Sequence, residues 1–227
     1  MLFRSYDLTD DNYLPDEKVL VDNMSRSSNG FNIDNTMIKN TRSRGLLIKS
    51  SDGTVTNCTF RNNAKCGVAI IYEIFWGESG MSENLLVARN LFDNTSYSDA
   101  DQVRYQHAPL IIMGLGGGTV EEDYLLYKNI DIIGNKFINR NVHVNPYAIY
   151  LQAVRDVVIE GNDFGTFEGE SEDNWAGAIG FNGAMNIKIE NNTYSEYVAL
   201  EQNFFGGFYK NVYGADVDGV IPKDKDD

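Results

Sequence analysis

Three groups of residues have the types and spacing for chemistry. In "IYEIFWGESG" at 71–80, Glu73 and Glu78 flank Phe75 and Trp76, and Gly77 and Gly80 permit a tight loop around Glu78 and Ser79. An indole offers a flat apolar face on which the C–H groups of a sugar ring stack, while carboxylates answer its hydroxyls. In "NTRSRG" at 40–45, Arg42 and Arg44 fall on one side of an expected strand that leads to Lys49. Such cations hold hydroxyls or an acid group, or pair with Glu73 and Glu78. Tyr150, Gln152 and Asn182 add phenol and amide groups along the same expected wall. The alternative is structural: Phe75 and Trp76 plug an edge, the carboxylates are solvated, and the arginines form plain surface ion pairs.

Other motifs carry less. His107 and His143 have no metal-ligand spacing, so no metal site is expected. "GLGGG" at 114–118 lacks the Lys-Ser/Thr of a phosphate loop. "EGESED" at 168–173 reads as a solvated loop before it reads as a calcium site. No cofactor is implied. A formal net charge of −14 with 19 Lys and Arg argues against a nucleic-acid partner. No apolar run approaches the roughly 20 residues of a membrane span. Two cysteines do not make a disulfide framework.

The elements that would position these residues come from a repeat. An apolar residue, two variable residues, Asn, one variable residue and an aromatic recur in "VTNCTF" at 55–60, "VARNLF" at 87–92, "IIGNKF" at 132–137, "IEGNDF" at 159–164 and "IENNTY" at 189–194. "NIDNTM" at 32–37 is taken as a weaker first copy, which aligns Asn35, Cys58, Asn90, Asn135, Asn162 and Asn192. These residues read as structural, satisfying backbone groups at a bend. A second strand follows each copy. Its alternation predicts two inward columns, Leu46, Val68, Leu110, Ile149 and Ile179, then Ile48, Ile70, Ile112, Leu151 and Phe181. Tyr150 and Gln152 then belong to an outward face.

The expected architecture is all-β, a right-handed parallel β-helix (solenoid) of about six coils with long loop inserts. Residues 1–30 read as an irregular or strand segment, 31–210 as the β-helix, and 211–227 as a charged tail expected to fray. The first segment shows no amphipathic capping helix, so earlier coils are expected upstream.

"NTRSRGLLIKSSDGTVTNCTF" at 40–60, "FWGESG" at 75–80 and "ENLLVARNLF" at 83–92 resemble the β-helix region of glycoside hydrolase family 110, the bacterial α-1,3-galactosidases. The resemblance implies inverting hydrolysis of terminal α-1,3-linked galactose by acidic residues, with no metal, and a secreted or periplasmic home. The partner is then a galactose-containing glycan. Inversion needs two carboxyl groups about 6.5–9.5 Å apart. The family's key aspartates precede the "RSRG" strand, and residues 1–39 hold no matching pair. Within this reading Glu78 is the first candidate for the catalytic carboxylate and Glu73 the second. Trp76 is the sugar platform, with Arg42, Arg44, Lys49, Tyr150 and Gln152 binding substrate. A non-catalytic glycan-binding or structural solenoid and a polysaccharide lyase or epimerase remain open on the same fold.

Overall fold

A computed structural model describes residues 28–72, 81–97, 108–114, 120–139, 147–167, 177–194 and 208–225. Their regular structure is all-β apart from a single 3-10 turn at Glu122–Tyr124. Named strands pair only in parallel, and they form three walls. The first wall holds β1 (Asn32–Asp34), β4 (Gly53–Thr56), β7 (Glu83–Ala88), β10 (Tyr127–Ile133), the second halves of β12 (Tyr147–Glu160) and β14 (Gly177–Glu190), and β16 (Tyr209–Tyr213). The second wall holds β2 (Met37–Lys39), β5 (Thr59–Arg61), β8 (Leu91–Asp93), β11 (Lys136–Asn139), β13 (Asp163–Phe167) and β15 (Thr193–Tyr194). The third holds β3 (Leu46–Ile48), β6 (Val68–Ile71), β9 (Leu110–Met113) and the first halves of β12 and β14. Ala153 and Gly183, at φ 58° and 74°, bend β12 and β14 from the third wall into the first without breaking them.

The register follows the apolar periodicity. Leu46 pairs with Val68, Val68 with Leu110, Leu110 with Ile149 and Ile149 with Ile179; the column from Ile48 to Phe181 is paired likewise. All but Leu46 are buried. The first wall adds Ile33, Val55, Val87, Ile132, Ile159 and Ile189. The second adds Phe60, Phe92, Phe137, Phe164 and Tyr194, stacked with ring centroids 4.9–5.5 Å apart. Offset aromatic pairs at that separation add attraction beyond their burial.

The asparagines form a ladder inside the turn between the first two walls. Asn135 donates from its backbone N and its Nδ2 to Asn162 Oδ1, at 2.9 and 3.0 Å, and from Nδ2 to Val87 O at 2.9 Å. Asn90 repeats the pattern onto Asn135 and Val55 O, and Asn162 onto Asn192 and Ile132 O. Each amide thus satisfies backbone groups that the bend takes out of the sheet.

One alignment needs correction. Asn35 is not on the ladder: with φ 49° it belongs with Asn57, Arg89, Gly134, Gly161 and Asn191, the left-handed residues that precede each rung. Thr36 holds the first ladder position, its carbonyl accepting from Thr59 N as the Cys58 carbonyl accepts from Leu91 N. The first copy of the motif therefore runs from Ile33 to Ile38, the partners of Val55 and Phe60.

The outward assignment of the third wall also needs correction. Tyr150 and Gln152 are 0% exposed and Asn182 is 1% exposed. Ala69, Ile71, Ile111, Met113, Tyr147 and Tyr150 form a second buried cluster on that face with Cys66 and Ala108. The Tyr147 ring lies where a Cβ on Gly180 would stand, 2.8 Å away. This wall is buried on both faces, as parallel sheets covered on both sides are, and Gln152 and Asn182 are polar exceptions in an otherwise apolar outer face.

Residues past 210 do not fray up to Lys225. Val212 N and Lys223 O, and Tyr209 and Lys225, are hydrogen-bonded, and Val217 is 1% exposed. The segment closes the stack, and Asp216 ends the ladder beneath Asn192.

Candidate functional site

Each residue expected at a site can be placed against this frame. Glu73, Trp76 and Glu78 lie outside the described residues, as do His107, His143 and the "EGESED" stretch. Arg42 and Arg44 stand on the turn before β3 and not on a strand, Arg42 exposed and Arg44 half-buried. Lys49, one residue past β3, is half-buried. Tyr150 and Gln152 are packed inside and offer no wall to a ligand; the sequence shows their alternation but not what covers the face. No group of three or more His, Cys, Asp or Glu residues that could hold a metal occurs among the described residues. No helix there is long and apolar enough to cross a membrane.

The structure instead brings together residues on the outer face of the first wall. Glu83, Lys128 and Arg155 are consecutive register partners on β7, β10 and β12. Each stands seven residues before its ladder asparagine, Asn90, Asn135 and Asn162. Lys128 Nζ lies 2.7 Å from Glu83 Oε2. With Met81, Asp123, Leu125 and Leu126 these side chains line a cleft of about 240 Å³. The 3-10 turn forms one rim, tied to β16 by the ion pair between Glu122 and Lys210. On the other side of the turn Val120, Ala153 and Phe208 are buried together, with Leu125 and Leu126 packed against them.

The cleft combines two carboxylates, two cations and a pair of leucines. Its volume is below the roughly 300–1,000 Å³ of drug-sized sites, which suits a single ring. Polar groups of both signs around an apolar floor can bind a polyol through its hydroxyls and its C–H face together. Arg42, Arg44 and Lys49 do not line it. Sequence reasoning missed this site because Glu83 and Lys128 are 45 residues apart and only the register joins them. The fixed offset from the ladder was the available signal.

Comparison with known proteins adds little. No family model and no curated protein matches the chain. One solved structure to which it is similar is that of a trypsin-treated variant of QnrB1, a plasmid-mediated fluoroquinolone resistance protein, at 10% identity, with 81% of this chain and 94% of that chain covered. The TM-score is 0.19, and a likeness of that size carries no argument about fold or activity.

Proposed function

We propose that the chain is a right-handed parallel β-helix of about six coils that acts on a galactose-containing glycan, as an exo-acting, inverting α-1,3-galactosidase or as a fragment of one. The observation that carries the reading is the position of the cleft. Met81, which lines it, directly follows the "FWGESG" segment at 75–80 on which the family resemblance rests. Glu83, Lys128 and Arg155 would hold sugar hydroxyls over Leu125 and Leu126, and Glu78 would supply a reacting carboxyl group with Glu73 as the second. A secreted or periplasmic home follows from the resemblance as part of the same proposal.

The test is hydrolysis of Gal-α-1,3-Gal by the purified chain and by Glu78→Gln, Glu73→Gln and Lys128→Ala. Turnover lost in Glu78→Gln with KM little changed, and KM raised several-fold in Lys128→Ala, is the expected result. Wild-type turnover in Glu78→Gln removes that residue from the mechanism. Glycan binding without turnover, unmoved by Glu73→Gln and Glu78→Gln together, replaces the hydrolase with a glycan-binding solenoid. No binding of any galactoside overturns the proposal.

A further inference from the structure

Four charged side chains line the cleft, and only two of them answer each other. Lys128 Nζ closes on Glu83 Oε2 at 2.7 Å. Arg155 is the register partner of Lys128 on the next strand, one spacing of about 4.8 Å away. Asp156 Oδ2 stands 3.9 Å from Arg155 Nε, beyond hydrogen-bonding range, and the other Asp156 oxygen accepts from Asn186 Nδ2 at 2.9 Å. The exposed Arg155 guanidinium makes no hydrogen bond among the described residues. Asp123, exposed on the 3-10 turn, makes neither a side-chain hydrogen bond nor an ion pair among them. The turn itself is anchored on both sides of Asp123: Glu122 pairs with Lys210, and Leu125 and Leu126 pack against Val120, Ala153 and Phe208. Arg155 and Asp123 thus line one space without pairing across it.

We propose that the cleft binds a free α-amino acid with an aliphatic side chain. The guanidinium fork of Arg155 suits a carboxylate, which accepts two parallel hydrogen bonds. A carboxylate seated there also relieves the repulsion between Arg155 and Lys128, two cations on adjacent strands. Asp123 is left to accept from the ammonium group, and Leu125 and Leu126 to pack against the side chain. Sugar hydroxyls can bond to both charged groups but neutralise neither. A formal net charge of −14 repels a free anion at a distance, whereas a zwitterion carries no net charge to be repelled. A cleft of about 240 Å³ is smaller than a drug-sized site and suits a ligand the size of one residue. The inference goes beyond the galactoside reading and does not rest on it, though both place a ligand in one cleft.

The experiment titrates the protein by calorimetry, up to about 10 mM ligand, with L-leucine and two analogues. Leucinamide lacks the carboxylate and 4-methylpentanoate lacks the ammonium group. L-Leucine is expected to bind about tenfold or more tightly than either. Arg155→Gln is expected to weaken L-leucine about tenfold and to erase its advantage over leucinamide. Asp123→Asn is expected to erase the advantage over 4-methylpentanoate and to keep the one over leucinamide. Both variants replace exposed side chains, so an unchanged melting temperature is expected of each. Lys39→Gln, an exposed charge on the second wall, is the control and is expected to change binding less than about twofold. A parallel titration with Gal-α-1,3-Gal separates the two readings: L-leucine binding without galactoside binding removes the hydrolase and keeps the amino-acid site. Failure of L-leucine to bind, with or without galactoside binding, would overturn the proposal. So would equal binding of the three ligands, or cleft variants that lose no more than Lys39→Gln.

Discussion

Asn192 donates both its backbone N–H and its Nδ2 to a single carboxylate oxygen of Asp216, at 3.0 and 2.8 Å. The same oxygen accepts from the Tyr194 hydroxyl at 2.9 Å. Asp216 therefore occupies the place that the next asparagine would take, and a carboxylate suits the last rung because it only accepts. Asp216→Ala leaves the Asn192 N–H and the Tyr194 hydroxyl to find water, while Asn192 Nδ2 keeps Ile159 O and Glu190 O as acceptors. Hydrogen bonds to a charged acceptor are each worth about 1.5–3 kcal/mol, and a partly exposed site recovers some of that. The expected loss is about 2–3 kcal/mol, read as a lower urea midpoint at unchanged slope. Asp216→Asn, which keeps one acceptor oxygen, should lose less than half as much.

The interior of the ladder is less forgiving. Asn135→Ala removes the acceptor of two Asn90 donors and the donor to Val87 O, with both asparagines at 1–2% exposure. Buried groups left unpaired cost about 1–3 kcal/mol each, so a loss of at least about 3 kcal/mol is expected. Cys58 makes the opposite case. Its Sγ lies 3.6 Å from Ile33 O, the carbonyl that an amide nitrogen would reach on any other rung. Cys58→Asn should extend the ladder by one rung and raise stability by about 1 kcal/mol in the same denaturation measurement. A destabilised Cys58→Asn would mean that the site is too small for the amide.

The ladder and the columns beside it also mark how far the sequence could be read. The inward columns were legible because period-two alternation of bulky apolar residues has one solution against a core, and Leu46 to Phe181 obey it. The ladder was legible where an aromatic follows the asparagine by two residues. In the first copy Thr36 and Ile38 replace both marks, and Asn35, one position early, drew the alignment to itself. Burial of Tyr150 and Gln152 was not legible, since a strand's own alternation does not say what lies over its second face. Apolar residues at Ala69, Ile71, Ile111 and Met113 were the sign that something does. The cleft escaped because Glu83, Lys128 and Arg155 converge through register alone.

Alkaline pH should unfold the protein through its tyrosines. Burial raises the hydroxyl of Tyr127 above the ordinary tyrosine range, and it donates to Met113 O at 3.0 Å. Burial, then the neighbouring Asp216 carboxylate, raises Tyr194. The unfolded chain releases these protons near pH 10 while the folded chain keeps them, so the contribution is complete below about pH 10 and is lost as pH rises above it. Each group should steepen the loss by up to about 1.4 kcal/mol per pH unit, somewhat less for the half-buried Tyr194. Urea midpoints measured from pH 8 to 11 check the slope, and Tyr194→Phe should reduce it.

Asn182 presents a different imbalance. It is 1% exposed on β14, beside Gln152 of β12, and neither its Oδ1 nor its Nδ2 has a hydrogen-bond partner among the described residues. A buried amide without partners forfeits its hydration and gains nothing in return, at about 1–3 kcal/mol for each group. Beyond the Gln152 amide its neighbours on that face are apolar: Met113 lies two strands away, and Val120 fills the space beside the adjoining Gly183. Leucine has the branched shape of asparagine without its polar atoms and fits an extended backbone. Asn182→Leu is therefore expected to raise stability by about 1–2 kcal/mol, measured by urea denaturation at neutral pH. A loss of similar size would instead show that the amide holds a water or a bound group in solution, since removing a polar side chain destabilises only where that side chain has a partner.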